Sequence, residues 1–167
     1  LALMVVTLWL AAGQVPAFWV ACVAPGAVLL ALVGWWDDHR SLGAGRRFFV
    51  QLAASLFLVW SAATAGWMQG ALPMTMGGLF VLWMTNLYNF MDGMDGFAGG
   101  MAVAGGGLLA WFGWAAGHGF LFCMALSVAA AAVGFLIHNF PPARIFMGDA
   151  GSASLGFLFG SLMLLGV

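Results

Sequence analysis

The stretch Asn86-Leu-Tyr-Asn-Phe-Met-Asp-Gly-Met-Asp-Gly-Phe-Ala-Gly-Gly100 places two carboxylates, Asp92 and Asp95, and two carboxamides, Asn86 and Asn89, within ten residues. The chain around it is 65% hydrophobic and 5% charged, with a mean hydropathy of +1.08. A soluble domain carries about 25% charged residues. A polytopic membrane protein is therefore expected, and the polar stretch needs a reason to exist inside it.

Working outward from the stretch, a helix crossing a ~30 Å hydrocarbon core needs about 20 apolar residues, with roughly 17 to 25 tolerated. Upstream, Met74 to Tyr88 is apolar but short and leads into the Asn/Asp residues. Downstream, Ala98 to Ala116 leaves them and reaches a turn at Gly117-His118-Gly119. Phe120 to Ile137 returns, His138 to Gly151 is polar, and Ser152 to Val167 departs again.

Nearer the N-terminus, Ala17 to Trp36 is a full span ending on interfacial tryptophans. His39 to Arg47 is polar, Phe48 to Gly66 spans, and Trp67 to Pro73 turns. Leu1 to Ala12 is too short to cross and looks like the tail of a span, with a turn at Gly13-Gln14-Val15-Pro16. The expected fold is all-α: a polytopic transmembrane helical bundle of about five complete spans plus truncated or partial spans at the ends. It forms a single transmembrane domain, with no repeat and no soluble domain.

The charges are five Asp and four Arg. Asp37, Asp38, Arg40, Arg46 and Arg47 form one cluster, Asp92 and Asp95 a second, Arg144 and Asp149 a third. Two spans separate each cluster from the next, so all three are expected on one side of the membrane. Short loops rich in Lys and Arg stay cytoplasmic, and every Arg lies in these clusters, so that side is the cytoplasmic one. With this balance, net charge offers no argument for nucleic acid as a partner.

Cys22 and Cys123 lie inside apolar runs and are expected to be packing residues rather than a disulfide or a metal pair. No basic region or small-residue cleavage site precedes the first apolar run, so no signal peptide is expected. Leu1 and Val167 both fall in hydrophobic segments, so the chain is expected to be a fragment of a larger polytopic protein.

Charged residues at membrane depth cost about 2.5–3.5 kcal/mol each on the insertion scale and usually mark an ion or substrate path. Carboxylates together with carboxamides suit a hard cation such as Mg²⁺, which takes oxygen ligands and leaves positions for water and phosphate. Phosphoryl transfer needs the same parts: a metal for the pyrophosphate, a carboxylate for the nucleophile, and cations for developing charge. Arg144, Arg46 and Arg47 could supply the last. The glycines at 93, 96, 99 and 100 allow turns and close backbone approach.

Three motifs resemble those of the polyprenyl-phosphate N-acetylhexosamine-1-phosphate transferases. They are Trp36-Asp-Asp-His-Arg-Ser-Leu42 with Arg46-Arg-Phe-Phe-Val-Gln51, the Asn86 to Gly100 stretch, and Asn139-Phe-Pro-Pro-Ala-Arg-Ile-Phe-Met-Gly-Asp-Ala-Gly-Ser152. The resemblance covers Ala17 to the end. Its wording is nearer the undecaprenyl-phosphate N-acetylglucosaminyl-1-phosphate transferase branch, which starts O-antigen, enterobacterial antigen or teichoic-acid linkage units, than the muramoyl-pentapeptide branch. That branch has a lysine shortly after its Asp pair, where this chain has His39 and Arg40.

The resemblance implies transfer of a sugar-1-phosphate from a UDP-N-acetylhexosamine to undecaprenyl phosphate, with Mg²⁺ or Mn²⁺ and release of UMP. It implies a multi-pass protein of the bacterial plasma membrane, surrounded by lipid and able to pair as a homodimer, with its site facing the cytoplasm. Carried over, Asp149 would bind the metal with help from Asn89. Asp37 and Asp38 would work on the lipid phosphate, one as base. Asp95 would sit near the uracil, with Asn86 and Asp92 supporting the nucleotide pocket and Arg144 a phosphate contact. Family members also carry an N-terminal arginine/glycine loop and a C-terminal histidine motif, and neither lies in these residues.

Each assignment has a plainer rival. Asp37 and Asp38 could terminate a helix, Asp92 and Asp95 could be loop solvation, and Asp149 could be an N-cap. Arg46 and Arg47 lean towards anchoring at the interface, and Arg144 divides evenly between anchor and phosphate contact. His39, His118 and His138 are left out of the site. A cation channel is the rival from another class, but it predicts carboxylates at mid-membrane depth, whereas these all fall at span ends. A scaffold without chemistry leaves the clusters unexplained.

Overall fold

The computed structural model describes residues 17–40 and 42–165. The expected N-terminal partial span and its turn lie outside them. Six α-helices follow in order: α1 (Ala24–Arg40), α2 (Ala44–Thr64), α3 (Ala71–Met91), α4 (Phe97–Ala115), α5 (Gly119–Asn139) and α6 (Gly148–Leu165). No strand occurs among the described residues. Four stretches are long and apolar enough to cross a membrane: Trp19–Arg40, Ala44–Thr64, Phe97–Ala115 and Gly119–Asn139. Helices α3 and α6 have 21 and 18 residues, with polar residues at one end of each. The protein is an all-α, multi-pass membrane protein.

Helix boundaries differ from expectation where charge had been taken to end a helix. A π-helical turn at Trp19–Val23 leads into α1, just ahead of Pro25, which has no N–H and crowds the preceding turn. Helix α1 then runs four residues beyond Trp36, so Asp37 and Asp38 lie in its last turns, followed by His39 and Arg40, which suit a helix C-terminus. Helix α2 starts at Ala44, so Arg46 and Arg47 are helical too. Pro73 sits in the first turn of α3, where proline is tolerated, and α3 continues through Asn86 and Asn89 to Met91.

The described residues fall into two compact units. One comprises Ala17–Phe90 and Met147–Leu165. In it α6 is threaded by glycine contacts on two sides. A Cβ on Gly34 would lie 2.4 Å from the Ala150 nitrogen, and one on Gly156 would lie 2.5 Å from the Met84 carbonyl oxygen. These approaches bring the α6 backbone against α1 and α3, the close packing that lipid-embedded helices rely on. Phe157, Phe159 and Leu162 fill the core around α6, and the Phe159 ring stacks on Tyr88 at 5.2 Å.

The other unit is Met91–Phe146. Helices α4 and α5 form an antiparallel hairpin, and Gly99, Gly106 and Gly113, each seven residues from the next, face α5. A Cβ at Gly113 would lie 2.5 Å from the Phe122 nitrogen, and at Gly106, 2.9 Å from the Ala125 carbonyl oxygen. A seven-residue spacing keeps one seam in contact along the helix. In both units large apolar side chains such as Trp60, Trp83, Trp111 and Ile137 are exposed, as residues facing lipid should be.

Candidate active site

In the first unit four helix ends converge: the end of α1, the start of α2, the end of α3 and the start of α6. Arg47, in the first turn of α2, uses one nitrogen, Nη1, to pair with Asp37 Oδ2 at 3.0 Å and with Asp149 Oδ2. Cationic residues are unfavourable at a helix N-terminus. Here two carboxylates from α1 and α6 offset that cost, and Arg47 is thereby a structural centre of the site. Arg47, expected to lean towards anchoring at the interface, is thus paired with two carboxylates, whereas Arg46 is exposed.

Asp38 does something different from its neighbour. Its two carboxylate oxygens accept the backbone N–H groups of Asp149, at 3.1 Å, and Ala150, at 3.5 Å. These are orphan donors of the first turn of α6, so Asp38 caps that helix from across the fold. Gly148 has a φ of +67°, and a Cβ there would meet the Asp38 carboxylate at 2.7 Å. Glycine is required at 148 both for that backbone region and for this approach. Asp149 lies inside the first turn and its carboxylate turns to Arg47, so an N-cap role does not account for it.

Asn89, near the end of α3, accepts a hydrogen bond from the Ser152 hydroxyl at 2.8 Å. Asn89, Asp149, Arg47 and Gln51 line one small cavity together with Leu30, Val33, Gly34 and Ala153. Burial pushes the Asp149 carboxyl above the ordinary carboxylate range; Asp37 beside it raises it further and Arg47 opposes both. Two buried side-chain atoms at this end accept no hydrogen bond among the described residues, Asp37 Oδ1 and Gln51 Oε1.

One guanidinium shared by two carboxylates leaves an excess of acceptors. No group of three or more His, Cys, Asp or Glu side chains that could hold a metal occurs among the described residues. The donors at hand are oxygens alone: Asp149, Asp37 Oδ1 and the amide oxygens of Asn89 and Gln51. Such a set fits a hard cation that keeps part of its water shell, as Mg²⁺ and Mn²⁺ do, and not a soft-ligand metal.

Asn86 is exposed, and its amide donates to the Leu82 carbonyl of its own helix at 2.9 Å. The second unit carries Asp92, which is buried, and Asp95 and Arg144, which are exposed. There, Asp95 Oδ2 accepts the Ala143 N–H at 3.0 Å. Asn139 accepts the Gly96 N–H at 3.0 Å and donates to the Ile145 carbonyl at 2.8 Å. The segment carrying Asp95 and the segment after α5, with its cis Pro141-Pro142 bond, are thus tied at two points.

The profile of glycosyl transferase family 4 matches residues 20–167. The chain belongs to that family. Among curated relatives, it is 34% identical over 159 residues to a probable undecaprenyl-phosphate N-acetylglucosaminyl 1-phosphate transferase of Bacillus subtilis (strain 168), covering 87% of this chain and 43% of that protein. It is also 34% identical over 173 residues to the phospho-N-acetylmuramoyl-pentapeptide-transferase of Synechococcus sp. (strain JA-3-3Ab), covering 89% of this chain and 48% of that one. The same enzyme of Moorella thermoacetica is 34% identical over 160 residues. The chain spans about half the length of the curated relatives it matches.

Within this member of glycosyl transferase family 4, the structure brings together Asp37, Asp38, Asn89 and Asp149 of the residues singled out from sequence. Sequence reasoning gave no role to Gln51, Ser152 or Asn139. A signal existed for two of them. Gln51 follows Arg47 by four residues and Ser152 follows Asp149 by three, spacings that share a helix face. Asn139 had no such cue, because its partners lie in loops.

Proposed function

We propose that the chain is the catalytic part of an enzyme that transfers N-acetylhexosamine-1-phosphate from a UDP-sugar to undecaprenyl phosphate, releasing UMP and beginning a cell-envelope polysaccharide such as O-antigen. The observation that carries this reading is the meeting of Asp37, Arg47, Asn89 and Asp149 at one end of a membrane-embedded helical unit. A pyrophosphate donor needs a cation and a positioned carboxylate at the membrane edge, where a lipid phosphate can reach it. The family membership and the names of both kinds of relative support it.

A bound Mg²⁺ would neutralise the diphosphate and stabilise charge on the departing UMP. Asp149 would hold it, with Asn89 beside it. Of the first Asp pair, Asp37 is the better general base for the lipid phosphate, because both oxygens of Asp38 serve the α6 amides. The roles that the resemblance implies for Asn86 and Asp92 in supporting the nucleotide pocket, for Asp95 near the uracil and for Arg144 at a phosphate belong to this reading. Arg40, Arg46 and Arg47 lie at the site end of the first unit and residues 65–70 at its other end carry no charge, which supports a site on the cytoplasmic face of the plasma membrane.

The test is transfer from radiolabelled UDP-N-acetylglucosamine, and from other UDP-N-acetylhexosamines, to undecaprenyl phosphate in membranes containing the full-length protein. Lipid-linked product that requires Mg²⁺, disappears with EDTA and is lost in Asp149→Asn is the expected result. Product that ignores chelation removes the metal role. Absence of product with every UDP-sugar, together with cation flux in vesicles, replaces the enzyme with a transporter.

A further inference from the structure

Gln51 is the least explained polar residue of the first unit. It lies one turn beyond Arg47 on α2, is 5% exposed, and its Oε1 is buried without a hydrogen-bond donor among the described residues. Leaving a buried acceptor unsatisfied costs about 1–3 kcal/mol. A leucine or methionine there would avoid that cost, so the amide needs a use.

Its surroundings indicate one. Gln51, Asn89, Asp149 and Arg47 supply the polar wall of the small cavity, and the remaining lining is apolar apart from backbone. The cavity volume is ≈ 10 Å³, at the threshold of about 10–15 Å³ that a single water occupies, and so the scale of one small ion. Its one cationic group, Arg47, is already engaged by Asp37 and Asp149. Acceptor oxygens therefore outnumber donors around a space of single-ion size.

We infer that Gln51 is a further ligand residue, offering its side-chain oxygen to the divalent cation that Asp149 holds. The inference rests on the cation assignment of the proposed function and adds to it a residue from a third helix, α2. The carbonyl is uncharged, so it tightens cation binding without deepening the repulsion between Asp37 and Asp149.

Mn²⁺ binding to the purified full-length protein in nanodiscs, followed by electron paramagnetic resonance, tests this in wild type, Gln51→Met, Gln51→Glu and Asp149→Asn, with melting temperatures taken without metal. Gln51→Met should weaken Mn²⁺ about tenfold or more, the scale of losing a ligand-shell group, while melting at or above the wild-type temperature. Gln51→Glu should bind Mn²⁺ at least as tightly as wild type. Wild-type affinity in Gln51→Met, alongside loss in Asp149→Asn, would overturn the role of Gln51 and leave the cation site standing. A wild-type protein that binds no Mn²⁺ overturns both. If Gln51→Met loses affinity and also melts lower, the glutamate variant decides: retained binding supports the ligand role, and lost binding rejects it.

Discussion

The Asp38 carboxylate accepts the backbone N–H of Asp149 at 3.1 Å, so the end of α1 closes the start of the helix that presents the central carboxylate. Two adjacent aspartates on α1 thus divide the work, one facing Arg47 and the other the α6 amides. Losing a cap costs about 0.5–2 kcal/mol. Asp38→Ala should lower stability by about 1 kcal/mol, read as the midpoint of SDS-induced unfolding in mixed micelles, and should weaken Mn²⁺ binding because Asp149 loses its setting. Asp38→Asn, which keeps one acceptor, should fall between Ala and wild type. A variant at 38 that leaves both readouts unchanged would remove the capping role.

Gly34 sets how closely α1 approaches the same turn. An added methyl would sit 2.4 Å from both the Ala150 nitrogen and the Asp149 carbonyl carbon, backbone atoms that cannot step aside. Gly34→Ala should cost about 1–3 kcal/mol, as overpacked sites do, and abolish the proposed transfer activity by displacing α6. Gly43→Ala is the control, since a Cβ there meets nothing within 4 Å and its φ of −58° is open to alanine. Equal activity of the two variants would refute the packing argument.

Arg47 holds two carboxylates that would otherwise repel. Its side chain is 32% exposed, so the full 3–5 kcal/mol of a broken buried pair is too much, and a loss of about 1–3 kcal/mol in Arg47→Met is the expectation. The charge defect has a signature of its own. If the proposed cation site is real, added Mg²⁺ should raise the melting temperature of Arg47→Met more than that of wild type, because the cation then supplies the missing positive charge. An equal shift in both proteins would show that Arg47 and the cation do not share the carboxylates.

Much of this was legible in the residues, and the reasons are specific. Apolar run lengths gave α4 almost to the residue, Phe97–Ala115 against an expected Ala98 to Ala116. The largest slips beside the site were next to charge: Asp37 and Asp38 are helical, and their carboxylates accept from Arg47 and from the α6 amides, remote in sequence. The same blindness to distant partners hid the pairing of Arg47 with Asp37 and Asp149. Hydrophobic periodicity sees one segment at a time, whereas a polar group buried near lipid is decided by what meets it from another helix.

In the second unit that lesson applies to Asn139, which is 1% exposed and joins the Gly96 amide to the Ile145 carbonyl. Asn139→Ala would strand a donor and an acceptor in one step, each worth about 1–3 kcal/mol if left unsatisfied. Both are in loops with few alternatives, so the effect should be local opening rather than loss of the α4–α5 hairpin, whose glycine seam is untouched. Hydrogen–deuterium exchange should therefore rise in residues 93–97 and 140–146 and stay at wild-type levels in residues 100–113. Asn139→Asp, which keeps the acceptor for Gly96 but loses the donor for Ile145, should free the second segment more than the first. Uniform exchange across the hairpin would mean that Asn139 supports the packing of the helices and not the loops that carry Asp95 and Arg144.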